Sequence, residues 1–162
     1  MRSEYLTYGL IGALAIALLI AAFTDFRRRQ IDNWLNAAIV LAAPLFWWAS
    51  GLVLWPDIGW QLGVSLATFA ITAGLFAMRA MGGGDVKLLT ALALWIRPED
   101  FLFLVIVMAL LGGLLTILFG ALHVIRRQTG RVAIPYGIAI SAAGLFTLYG
   151  KSLPMLGAVG AG

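Results

Sequence analysis

The chain has 162 residues, 62% of them hydrophobic and 11% charged, whereas soluble domains run at about half apolar and about a quarter charged. Together with a mean hydropathy of +1.00 this excludes a soluble enzyme, and the absence of cysteine excludes disulfide staples, thiolate zinc sites and a cysteine nucleophile. The net charge of +4 is no sign of a nucleic-acid partner, because the basic residues are scattered among apolar runs, where they report membrane topology instead.

In chain order the apolar stretches are Tyr5–Thr24, Asn33–Pro56, Ile58–Met78, Leu88–Ile96, Phe101–Ile125 and Val132–Gly150, of 20, 24, 21, 9, 25 and 19 residues. A helix needs about 20 apolar residues to cross a core about 30 Å thick, so every stretch but the fourth qualifies. The expected fold is an all-α integral membrane protein of about six transmembrane helices in a single domain over residues 1–162, the fourth helix short and entering the bilayer only partway. The first stretch reads as a true span and not a cleavable signal, since Arg27, Arg28 and Arg29 follow the apolar run where a signal carries its charge before it.

With six crossings, the connections at 25–33, 79–87 and 126–131 share one side, which carries Arg27, Arg28, Arg29, Arg79, Lys87, Arg126, Arg127 and Arg131. The other side carries Arg2, Arg97 and Lys151. The positive-inside rule makes the richer side cytoplasmic and puts both termini outside. Trp47, Trp48, Trp55 and Trp60 read as an interfacial aromatic belt, and Gly59 with Gly63 as a close-packing spacing.

Most acidic residues need no special account: Glu4, Asp57, Glu99 and Asp100 fall in outer connections, and Asp32 sits among arginines as a surface partner. Asp25 and Asp85 differ, because acidic groups at membrane depth are costly and usually functional. Asp25 directly follows an apolar run, and Asp85 follows Gly82-Gly83-Gly84. The chain crosses out and back between them, so both carboxylates end on the same face whatever the true orientation. A hydrolytic aspartate pair needs that arrangement, with one carboxylate to activate water and one carboxyl to protonate the carbonyl oxygen. Two carboxylates in one site do not both ionise easily, so the pair holds one proton near neutrality. The glycines permit backbone angles that other residues resist and allow close approach of a substrate strand. They also start a short helix carrying Asp85 at its N-terminal end. The helix dipole and Lys87 favour the ionised form of Asp85, and burial opposes it. A plainer reading makes Asp85 a helix cap and pairs Asp25 with Arg28 or Arg29.

Gly82-Gly83-Gly84-Asp85 resembles the GxGD signature of membrane aspartyl proteases, and Asp85-Val86-Lys87-Leu88 extends it to the GxGDxKL form of the type IV prepilin peptidases. The run from Asp25 through Ile31-Asp32-Asn33 is similar to that family's first motif, with Asp32 where proline is usual, and Ile134-Pro135-Tyr136-Gly137 resembles the start of its last helix. Without cysteines, and with its first span beginning at residue 5, the chain is similar to the short members of tight-adherence (Flp) pilus systems. No methyltransferase activity is implied. The resemblance implies an aspartic endopeptidase of the bacterial cytoplasmic membrane. It would remove the basic leader of prepilins and pseudopilins at the cytoplasmic face, cutting after glycine and before the hydrophobic helix. Asp25 and Asp85 would be the catalytic pair, and Gly82, Gly83, Gly84 and Lys87 would shape and support the active-site loop. Asp32 is a candidate contact for the leader.

Three other readings stay open on the sequence. One is a lipoprotein signal peptidase, although the pair lies on the arginine-rich side. Another is an ion- or proton-translocating protein using Asp25 and Asp85. The third is a non-catalytic assembly protein. His123, the one histidine, makes no metal site, and no cofactor is called for. The expected partners are prepilins, pseudopilins and anionic lipids, with no nucleic acid.

Overall fold

The computed structural model describes residues 2–125 and 134–159, with side chains over 4–125 and 134–150. Among these residues it is 86% helical with no strands, an all-α chain as expected for a membrane protein. Arg126, Arg127 and Arg131, and the side chains of Arg2 and Lys151, all used above for topology, lie outside the described residues.

Six α-helices follow in order: α1 (Arg2–Arg28), α2 (Asn33–Ala49), α3 (Gly59–Ala77), α4 (Gly83–Ala93), α5 (Pro98–Ile125) and α6 (Tyr136–Val159). α1 runs on past its apolar stretch, so that Asp25 lies within its last turns and Arg27 and Arg28 close it, where cations complement the helix dipole. It stops at Arg29, which takes a left-handed φ of 54°. α2 ends at Ala49, short of the expected Pro56, because Gly51 turns the chain at φ 68°. Leu54–Ile58 then forms a kinked turn of π-helix leading into α3.

Among the described residues three helical segments, Glu4–Arg28, Leu54–Ala77 and Pro98–Ile125, are long and apolar enough to cross a membrane, while α2 and Tyr136–Gly150 of α6 are shorter apolar helices. α4 has 11 residues and so a length of about 16 Å, about half a hydrocarbon core. It begins at Gly83, ahead of the apolar stretch, as its short run required.

α4 is nevertheless the centre of the bundle. It packs against α3, α6 and α2, while α6 also lies along α1 and α5. Leu88, Leu89, Ala91, Leu92 and Ala93 are all buried. Leu41, Leu66, Leu110 and Ile117 point outward on the surrounding helices, the surface that lipid covers. The polar residues of α3 turn inward instead: Gln61, Ser65, Thr68 and Thr72 are buried, and Ser65 Oγ donates to Thr90 O at 3.0 Å. Side-chain hydrogen bonds of this kind tie helices together where the hydrophobic effect between them is weak.

Two sequence readings are corrected here. Trp47 is half-buried, and its Nε1 donates to Leu94 O at 2.7 Å. Trp95 Nε1 likewise donates to Ile39 O at 2.9 Å. Trp47 therefore satisfies a carbonyl at the C-terminus of α4 that the helix leaves open; Trp48, Trp55 and Trp60 are exposed as a belt requires. The Gly59–Gly63 spacing is no seam between helices of this chain: Gly59 abuts Trp55 of its own preceding turn, and Gly63 faces open space.

Candidate active site

Asp25 arrives from the end of α1 and Asp85 from the third position of α4, and both are buried, at 6% and 8% exposure. They line one groove of about 360 Å³, together with Gly82–Gly84 and the loop from Arg29 to Asn33. The two acids singled out in the sequence thus come together, 60 residues apart in the chain, at the end of the bundle that also carries Arg29.

The glycines earn their places by closeness and not by unusual backbone angles, which corrects the sequence expectation. Among the described residues the one glycine with positive φ is Gly51, and Gly82 is simply extended at φ −75°, ψ 145°. A Cβ on Gly84 would stand 3.2 Å from Ile31 Cβ, one on Gly83 would stand 3.3 Å from the Phe76 ring, and one on Gly82 would stand 2.8 Å from Asp85 Oδ2. Gly84 therefore lets α4 lie against the α1–α2 loop, and Gly83 lets it lie against the end of α3.

Asp85 accepts from the backbone N–H of Gly82, which is half of a capping box. The cap reading is therefore part of the geometry, in the same groove as Asp25. α4 is not one of the membrane-spanning segments, and burial, followed by the negative charge of Asp25, pushes the Asp85 carboxyl up to about 7 against that backbone hydrogen bond. Of the opposing influences weighed from sequence, burial wins. Lys87 is exposed and donates from Nζ to Asn33 Oδ1 at 2.7 Å, tying α4 to the start of α2.

Around Asp25 the N-terminus of α6 closes in. The backbone N–H groups of Gly137 and Ile138 lie toward its carboxyl, the Ile138 N–H also donating to Pro135 O at 3.2 Å, and the Arg29 charge lies nearby. Asp25 Oδ2 is buried without a hydrogen-bond partner of its own. Arg28 does not pair with Asp25; it bonds Asp32 at 2.9 Å on the exposed rim.

Sequence reasoning did not single out Gly137 as a site residue. A Cβ there would stand 2.8 Å from Asp25 Oδ2 and 2.9 Å from Ile31 Cδ1. The signal available was the Pro135-Tyr136-Gly137 run, with proline at a helix start followed by a residue without a side chain. No group of three or more histidine, aspartate or glutamate side chains able to hold a metal occurs among the described residues.

Residues 12–117 match the model of the type IV leader peptidase family. The chain belongs to that family. The matched region includes Asp25, the groove loop and Asp85, and membership makes the protein a membrane peptidase of the leader-peptidase kind, with prepilin-type substrates in general. No curated protein and no solved structure matches the chain.

Proposed function

We propose that residues 1–162 form one membrane domain that acts as an aspartic endopeptidase with Asp25 and Asp85 as its catalytic pair. The observation that carries this reading is the meeting of two buried carboxylates in one groove open beside Arg29 and Asn33. Like charges in one groove share a proton, and in this reading Asp85, whose carboxyl is raised by burial and by the Asp25 charge, holds it. Asp25 then takes a proton from water as the water oxygen attacks the scissile carbonyl carbon, and Asp85 gives its proton to the carbonyl oxygen. Collapse of the tetrahedral intermediate returns that proton to Asp85, and Asp25 delivers the other to the departing amine.

The substrate in this reading is a Flp-type prepilin or pseudopilin, cut after glycine and before its hydrophobic helix. The groove faces the cytoplasm, where Arg27, Arg28, Arg29, Arg79 and Lys87 place it by charge, and both termini lie outside the bacterial cytoplasmic membrane. Gly82, Gly83 and Gly84 keep the groove narrow, and Lys87 supports it through Asn33. Asp32 on the rim is offered to basic leader residues once Arg28 is displaced.

Co-expression with a Flp-type prepilin, read by gel shift and mass spectrometry, tests this. Wild type trims the leader after glycine, while Asp25→Asn and Asp85→Asn at equal membrane levels do not. Cleavage by either single variant would remove the pair assignment.

A further inference from the structure

The N-terminus of α6 is held from two sides, and only one of them is the groove. On the inner side Gly137 and Ile138 meet Asp25. On the outer side Tyr136 turns toward α5. Its ring lies over Gly112, where a Cβ would stand 3.2 Å from Tyr136 Cε1. Its hydroxyl lies 3.2 Å from Thr116 Oγ1. Thr116 Oγ1 already donates to Gly112 O at 2.7 Å, so Tyr136 is the donor in that pair. The chain of bonds therefore runs from Tyr136 Oη to Thr116 Oγ1 to Gly112 O. One turn further along α5, the Arg29 guanidinium sits over the Phe119 ring at 5.1 Å.

We infer that Tyr136, seated in the Gly112 notch and bonded to Thr116, is a positioning residue for Asp25. Side-chain direction is the reason. Tyr136 and Gly137 are consecutive at the start of α6, so the register that puts the ring on α5 is the register that puts the Gly137 amide against the carboxyl. The start of α6 is seated by buried Pro135, Gly137, Ala139 and Ile140, and the Tyr136 ring in the Gly112 notch sets which way that seated turn is rotated. The Gly137 backbone lies against Asp25, and Tyr136 adds to the seat a large aromatic surface with one directed hydrogen bond. Tyr136 itself does not line the groove and touches no reacting atom.

This inference rests on the proposed role of Asp25, and the test separates the two. Leader cleavage is measured for Tyr136→Phe, Thr116→Val, their double variant, Tyr136→Ala and Asp25→Asn. Loss of the hydroxyl bond alone lowers kcat about threefold, and the double variant is no worse than either single one, since both remove the Tyr136–Thr116 bond and the further Thr116–Gly112 bond lies within α5. Tyr136→Ala frees the helix start and lowers kcat about a hundredfold, the scale of a misplacement of about 1 Å. KM stays within about twofold, because the interaction lost is with the catalytic group and not with the leader. Should Tyr136→Ala fail to accumulate, the Tyr136→Phe and Thr116→Val cycle decides alone. Additive losses in that cycle, or losses in KM in place of kcat, would overturn the positioning role. A dead Asp25→Asn beside a fully active Tyr136→Ala refutes this inference only, whereas an active Asp25→Asn refutes the reading beneath it.

Discussion

Gly137→Ala tests the closeness of α6 to Asp25 with a single methyl group. The new Cβ would stand 2.8 Å from Asp25 Oδ2, 2.9 Å from Asp25 Cγ and 2.9 Å from Ile31 Cδ1. Ordinary contact needs about 3.5 Å or more, so about 0.7 Å must be recovered. The obstructing atoms sit on two elements, α1 and the loop after it, and Ile31 is buried against α4 where Gly84 leaves no room for a side chain. The α6 start therefore yields, and the Gly137 and Ile138 amides retreat from the carboxyl. Losing one hydrogen bond to a charged group costs about 1.5–3 kcal/mol, which is about a 10- to 100-fold drop in kcat. Overpacking adds a stability loss of about 1–3 kcal/mol. Two glycines serve as controls. Gly144→Ala meets only the tips of Leu18 and Leu92, at 3.0 and 3.5 Å, which shift cheaply, and Gly113 has nothing within 4 Å. Prepilin cleavage in membranes, with thermal unfolding in detergent, reads both quantities. Wild-type turnover by Gly137→Ala, or an equal loss of turnover in Gly144→Ala, would refute the reasoning.

Cleavage should fall as pH rises through about 7, where Asp85 gives up the proton it donates. The sign for stability follows: the folded carboxyl lies above its ordinary 3.8, so the unfolded chain ionises first and the native state weakens as pH rises from about 4 to about 7, by at most about 4 kcal/mol. Thermal unfolding of Asp85→Asn across that range should be flatter than wild type; an unchanged slope would contradict it. Lys87→Met and Asn33→Ala should each lower cleavage by a few-fold, about 0.5–1.5 kcal/mol for one hydrogen bond, with the double variant equal to either. Additive losses in that cycle would show that the two residues act separately.

What the sequence made legible was mostly what charge and length control. The apolar stretches located the helices, and the placement of Asp25 and Asp85 by crossing parity agrees with their meeting in one groove. The short fourth stretch likewise anticipated α4. What escaped was set by packing between elements distant in the chain. That the glycines before Asp85 serve close contact with Ile31 and Phe76 needs the positions of α1, α2 and α3. That Trp47 bonds Leu94 depends on where α4 ends. Gly137 stood within a recognised run but was not singled out as a site residue, because its importance lies in a missing side chain and a backbone N–H, neither of which composition or periodicity reports.

The central position of α4 bears on how the protein matures. At 11 residues it is too short to be retained in a bilayer on its own, and its neighbours α2, α3 and α6 emerge from the ribosome both before and after it. The side of Asp25 that faces Gly137 stays open until α6, the last described helix, has been synthesised and docked. A nascent chain therefore carries both acids well before it carries a working arrangement of them. With Asp25 and Asp85 as the proposed pair, competence to cut would arrive with α6, and a chain stalled before it would be a harmless one.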